Sequence, residues 1–145
     1  MRFILVGGLA AAAHGAIRAT RDVDVVYDRS ADNLARLSEA LAPYTPYLRG
    51  APPGLPFRLD IATLRAGLNF TLTTTAGELD LLGEIAGAGA YAELESHTRE
   101  LVVHGVRCLC VDLPTLIATK RAAGRPKDFE AIAELEALRD SRGGD

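Results

Sequence analysis

The chain has 145 residues, 48% of them hydrophobic, and a formal net charge of −3. That length suits one domain, expected over residues 1–140 with a flexible tail at 141–145, burying roughly 70% of its unfolded surface. The slightly acidic balance argues against a strongly basic nucleic-acid platform, and no apolar run reaches the ~18 residues of a membrane helix.

Phe3-Ile4-Leu5-Val6 is a short apolar run of the kind a buried strand shows. Gly7-Gly8 lets the backbone turn, and Leu9 to Ala13 begins a short helix. A strand passing through glycines into a helix offers a cradle of backbone N–H groups suited to phosphate. The same start imitates a signal peptide, but it is short and broken by glycines, so a cytoplasmic protein is expected. After a gap of thirteen residues from Gly8, Asp22-Val23-Asp24 opens a second apolar run through Tyr27. On a strand, residues i and i+2 face the same way, so Asp22 and Asp24 share a face.

Asp28-Arg29-Ser30 supplies cap residues for a helix over Ala31 to Leu41, with Leu34, Leu37 and Leu41 on one face. The prolines between Pro43 and Pro56 mark a long irregular connection. Asp60 reads as the cap of a short helix from Ile61 to Arg65. Asn69 to Thr74 and Glu78 to Leu82 form a hairpin about Ala76-Gly77, which sets Asp80 in an apolar strand. A helix about Ala90 to Glu95 follows, then strands at Glu100 to Val103 and Val106 to Val111 turned at His104-Gly105. Cys108 and Cys110, two apart on the last strand, are poorly placed for a mutual disulfide and read as buried free thiols. Asp112 caps a helix with Pro114 in its first turn and Gly124 at its end, and Lys127 to Arg139 makes the final helix, with Asp128 as its cap. The alternation of strands and helices predicts an α/β fold.

Carboxylates inside apolar strands are costly unless paired or bound to metal. Asp22, Asp24 and Asp80 all sit so, and if their strands are neighbours they converge on one acidic pocket. Mg²⁺ takes carboxylate oxygens and completes its shell with waters and substrate phosphates. Two such ions, with Asp22 and Asp24 as shared ligands and Asp80 holding the catalytic one, would serve an in-line displacement, Asp80 also being placed to take the proton of an attacking hydroxyl. The alternative is a strand-end pair balanced by Arg18 and Arg21. Arg18 either neutralises a triphosphate or pairs with those aspartates, and Lys120, Arg125 and Lys127 either reach phosphates or line a solvated helix face. Of the three histidines, His14 lies nearest the cradle.

Val6-Gly7-Gly8, the thirteen-residue gap, Asp22-x-Asp24 and the later Asp80 together resemble the signature of the DNA-polymerase-β-like nucleotidyltransferase superfamily. The string His14-Gly15-x-x-Arg18-x-Thr20-x-Asp22-x-Asp24 is similar to the small bacterial branch that includes abortive-infection type IV toxins, as is the stretch from Lys120 to Phe129, which by that resemblance closes the active site with basic residues and an Asp, giving Asp128 a second reading as a site residue. Members of that branch usually carry a helix before the first strand, where this chain begins almost on it; the expectation is either a truncated start or cover from a partner chain, another protein or a second copy. The resemblance implies the nucleotidyltransferase fold, α/β with a mixed central β-sheet flanked by helices, and an enzyme that moves a nucleoside monophosphate from a triphosphate to an acceptor hydroxyl, releasing pyrophosphate. Asp22, Asp24 and Asp80 would be its catalytic and metal residues, and Gly7, Gly8, Arg18, Thr20, Lys120 and Arg125 its nucleotide-binding ones. It further implies an RNA 3′ end as acceptor in a toxin–antitoxin setting; a protein hydroxyl or a small molecule is the other option. The alternative in another class is a non-catalytic nucleotide- or partner-binding module on the same fold. A dinucleotide-binding domain fits poorly, since no third glycine follows at the required spacing.

Overall fold

In chain order the strands are β1 (Phe3–Val6), β2 (Val23–Tyr27), β3 (Tyr47–Leu48), β4 (Phe70–Thr74), β5 (Gly77–Leu82), β6 (Glu84–Ile85), β7 (Gly89–Ala90), β8 (Thr98–Val103) and β9 (Val106–Val111). The helices are α1 (Gly7–Ala13), α2 (Ala31–Leu41), α3 (Ile61–Ala66), α4 (Tyr91–Leu94), α5 (Leu113–Ala123) and α6 (Pro126–Ser141). The computed structural model describes residues 1–17 and 22–142, so Arg18, Thr20 and Arg21 lie outside it.

Seven strands form one mixed sheet in the order β3-β4-β5-β2-β1-β9-β8. β1 runs antiparallel to β2 and parallel to β9, and β2 runs parallel to β5. The central strands are buried along most of their length: Ile4, Val26, Leu72 and Leu81 meet Leu34, Leu64, Leu116 and Leu135 from the helices in one core. Each fully buried side chain of this kind contributes about 1.5–3 kcal/mol.

Local chemistry sets the helix boundaries. Ser30, Asp60 and Asp112 accept from the backbone N–H groups of Asn33, Thr63 and Thr115, each three residues on. Such caps are worth about 1 kcal/mol apiece. Gly124 ends α5 in the left-handed region at φ 63°, and Pro126 opens α6 two residues later, so the chain turns sharply between two packed helices. α6 continues to Ser141, so that residue, placed in the tail by composition, closes a helix instead.

Other differences from the sequence reading have physical causes. The proline-rich connection contains a 3₁₀ turn at Ala42–Tyr44 and a two-residue strand, β3, that pairs with β4. The helix after β1 begins at Gly7 rather than Leu9. Asp128 is not the cap of α6: Arg125 holds that position, and Asp128 sits buried in the first turn. Cys108 is half-buried and only Cys110 is fully enclosed, where burial pushes its thiol up to about 12. Among the described residues no helix is long and apolar enough to cross a membrane.

Candidate active site

The register of three strands builds the site. Val6, the last residue of β1, lies opposite Asp24, and Asp24 on β2 lies directly beside Asp80 on the parallel strand β5. Neighbours in register project from the same face of a sheet, so the two carboxyl groups meet and hydrogen-bond to each other. Asp24 is pushed up to about 6 from its ordinary 3.8. Burial is the main cause, followed by the bond to Asp80, the charge on Asp80 and that on Asp22; Lys120 pulls the other way.

Gly7 follows Val6 and passes directly over this pair. It adopts φ 66°, and a Cβ there would collide with Asp24 Oδ2. Gly7→Ala is therefore expected to destabilise the fold by about 2 kcal/mol, from left-handed strain plus displacement of the carboxylate. Urea unfolding measures it, and Gly105→Ala, equally left-handed at φ 79° but facing open space, isolates the collision from the strain.

Asp24 and Asp80 form part of the lining of a cavity of about 430 Å³, with Gly7, Asn69, Glu84, Lys120 and Arg125 around them. Lys120 and Arg125 bring positive charge into this acidic cavity. Asp128, only 3% exposed, fixes both: Arg125 Nε and Nη2 donate to its two oxygens at 2.8 and 3.3 Å, and Lys120 Nζ lies 3.8 Å from Oδ1. The Arg125 bonds hold the Asp128 carboxyl below its ordinary value despite its burial. Gly8 follows Gly7 in the first turn of α1 but is not part of the lining.

The predicted site residues thus divide. Gly7, Asp24, Asp80, Lys120 and Arg125 are brought to one cavity. Asp22 stands just before β2, half-buried and outside the lining, close enough for its charge to act on Asp24. Among the described residues, no three His, Cys, Asp or Glu side chains gather closely enough to hold a metal ion. Arg18 and Thr20 fall outside the described residues. His14 plays no part: it is buried, its Nε2 donates to the Val111 carbonyl at 2.7 Å, and burial lowers its pKa.

Three residues at or beside the cavity escaped the sequence reading. Asn69 and Glu84 line it, and the Asn69 Oδ1 accepts from the Gly83 N–H at 2.8 Å. Arg49, hidden in the proline-rich connection, ion-pairs with Asp80 at 2.9 Å. The one available signal was Tyr47-Leu48-Arg49, an uninterrupted run between Pro46 and Gly50.

The Asp24–Asp80 pair suits a divalent cation. Mg²⁺ commonly takes one or two carboxylates plus substrate oxygens. Here two carboxyls lie side by side in register, burial and Asp80 push Asp24 up to about 6, and Asp80 Oδ1 is buried without an aligned hydrogen-bond partner.

The sequence matches no protein-family model and no curated protein. Among solved structures, a "putative nucleotidyltransferase" from Thermotoga maritima superposes with a TM-score of 0.52 at 12% identity, covering 99% of this chain and 83% of that one. At that identity the likeness establishes a nucleotidyltransferase-like fold.

Proposed function

We propose that this chain is a Mg²⁺-dependent nucleotidyltransferase that moves a nucleoside monophosphate from a triphosphate to an acceptor hydroxyl. The observation that carries the reading is the in-register pair Asp24–Asp80 under the Gly7 turn, facing Lys120 and Arg125 in one cavity. Asp24 and Asp80 would hold the cation, with Asp22 as the third acid. Bound there, Mg²⁺ would supply positive charge to the phosphate oxygens as the displacement proceeds.

The side chains divide the remaining work. Asp80 accepts the proton of the attacking hydroxyl as that oxygen bonds to the α-phosphorus. The bond from the α-phosphorus to the bridging oxygen breaks, and pyrophosphate leaves toward Lys120 and Arg125. Asp128 keeps those two cations in place, so they need little reorganisation as charge develops. Gly7 lets the backbone pass close over the Asp24 carboxylate, where a Cβ would collide with Oδ2.

The resemblance to abortive-infection type IV toxins extends the proposal to a cytoplasmic enzyme with an RNA 3′ end as acceptor and a place in a toxin–antitoxin pair. Incubation with each α-labelled triphosphate, Mg²⁺ and RNA, protein or aminoglycoside acceptors tests both levels. Transfer of label with release of pyrophosphate, abolished by chelation, is the expected result, and the labelled acceptor identifies its class. One observation favours a second reading, a non-catalytic nucleotide-binding module: the described residues do not gather three acids. Calorimetric binding of a non-hydrolysable triphosphate, with no pyrophosphate release on any acceptor, would establish that reading instead.

A further inference from the structure

Arg49 takes no part in the transfer chemistry above, yet its guanidinium lies against the acid pair. Its backbone N–H donates to the Thr71 carbonyl at 3.0 Å, continuing the β3–β4 register past the Leu48–Leu72 pair. Thr71 pairs with Asp80, and Asp80 with Asp24. Arg49, Thr71, Asp80 and Asp24 therefore form one row across four neighbouring strands, and a row shares a face. Thr71 is short and exposed, which leaves the arginine room to cross β4. Nη2 comes within 2.9 Å of Asp80 Oδ1, and Nε within 3.4 Å of Glu78 Oε2.

These contacts differ in kind. The aligned hydrogen bond of Nη2 goes to the Leu72 carbonyl at 2.8 Å. Asp80 Oδ1 and Arg49 Nε are both buried atoms without an aligned hydrogen-bond partner, so the pairing rests on proximity of charge rather than on a directed bond. A cation arriving at Asp80 displaces a weakly oriented neighbour, and Glu78 with the Leu72 carbonyl retains the guanidinium.

We infer that Arg49 is the internal counter-ion of Asp80: a positioning residue that occupies this carboxylate in the cation-free chain, competes with a divalent cation for it, and is released to Glu78. The inference rests on reading Asp24 and Asp80 as cation ligands.

Mn²⁺ binding to the full chain, followed by the resonance signal of the free ion without nucleotide, tests it. Arg49→Met removes the charge and keeps most of the stem; it is expected to bind Mn²⁺ about three- to tenfold tighter than wild type. Glu78→Gln, which leaves Asp80 as the only acid on the guanidinium among the described residues, is expected to bind about two- to threefold weaker. An arginine that merely braced Asp80 would give the opposite sign at Arg49→Met. Binding no tighter in Arg49→Met, with wild-type binding intact and lost in Asp24→Asn, overturns the inference and leaves the transferase reading standing. If Arg49→Met does not fold, an unchanged affinity in Glu78→Gln overturns it equally. Mn²⁺ binding to none of the chains, or undiminished binding to Asp24→Asn, overturns both.

Discussion

Asp24→Asn is expected to lower nucleotidyl transfer by on the order of 10³-fold while making the fold more stable above pH 7. Both effects come from the same desolvated carboxylate. The amide keeps the shape of the side chain and can still hydrogen-bond to Asp80, but it offers no negative oxygen to a cation. Unchanged turnover in this variant would end the transferase proposal.

The sign of the stability effect follows from the titration. The native state holds the Asp24 proton more tightly than the unfolded chain does, with a value of about 6 against 3.8. The stabilisation from that proton is fully present below about pH 4 and is lost as pH rises through 6. At pH 8 the wild type carries an ionised Asp24 beside Asp80, whereas the amide stays neutral. A shift of that size corresponds to up to ~3 kcal/mol at full burial. Partial exposure of Asp24 reduces it to about 1–2 kcal/mol, or about 2–6 °C in Tm. Melting followed by circular dichroism at pH 8 and pH 5 checks this, with the variant's advantage shrinking at the lower pH. Mg²⁺ should raise the wild-type Tm and leave the variant unmoved. Parallel Tm–pH profiles for the two proteins would mean that the acid pair carries no such strain. A site that costs the apo fold stability in this way is one organised for a ligand rather than for packing.

The acids were legible one by one but not as a pair. Each announces itself as a charge inside an apolar run, yet their adjacency depends on β2 pairing in parallel with β5, strands joined through two helices and a hairpin. Nothing local specifies that register. Where structure is set by neighbours in sequence, the reading was close: the β4–β5 hairpin turns at Thr75-Ala76, one residue before the expected Ala76-Gly77, and α5 runs from its Asp112 cap to Gly124. Gly7 was legible as a turn, but the reason no other residue fits there is the Asp24 carboxylate beneath it. β3 is too short to leave a periodic signature, and Arg49 went unnoticed with it. Asp128 lies near a helix start, so local reasoning makes it a cap; the sharp turn at Gly124 instead folds α6 back so that Lys120 from α5 and Arg125 close over it. No reading of spacing alone foresees a carboxylate covered by its own two partners.

That covered carboxylate leads to the second large effect. Lys120→Met is expected to weaken binding of a non-hydrolysable triphosphate by about ten- to thirtyfold, an effect that isolates binding from chemistry. The Lys120 side chain is only 16% exposed and lies in a cavity that also holds Asp24, Asp80 and Glu84. Its stem packs while its ammonium serves both Asp128 and the acid pair, and methionine preserves the first role while deleting the second. Asp128→Asn should act more gently, about threefold on the same Kd, because both cations stay in the cavity and lose only the anchor that orients them. It should also cost about 1 kcal/mol of stability at pH 7. Because Arg125 holds the Asp128 carboxyl below 3.8, that contribution is present above the ordinary carboxylate range and fades as pH falls through the lowered value. The stability of Asp128→Asn should therefore converge with that of wild type in strong acid. Calorimetric titration of the analogue against each variant decides the matter. A Kd unaltered by Lys120→Met would put the triphosphate on another face of the sheet and leave Lys120 as a partner of Asp128 alone.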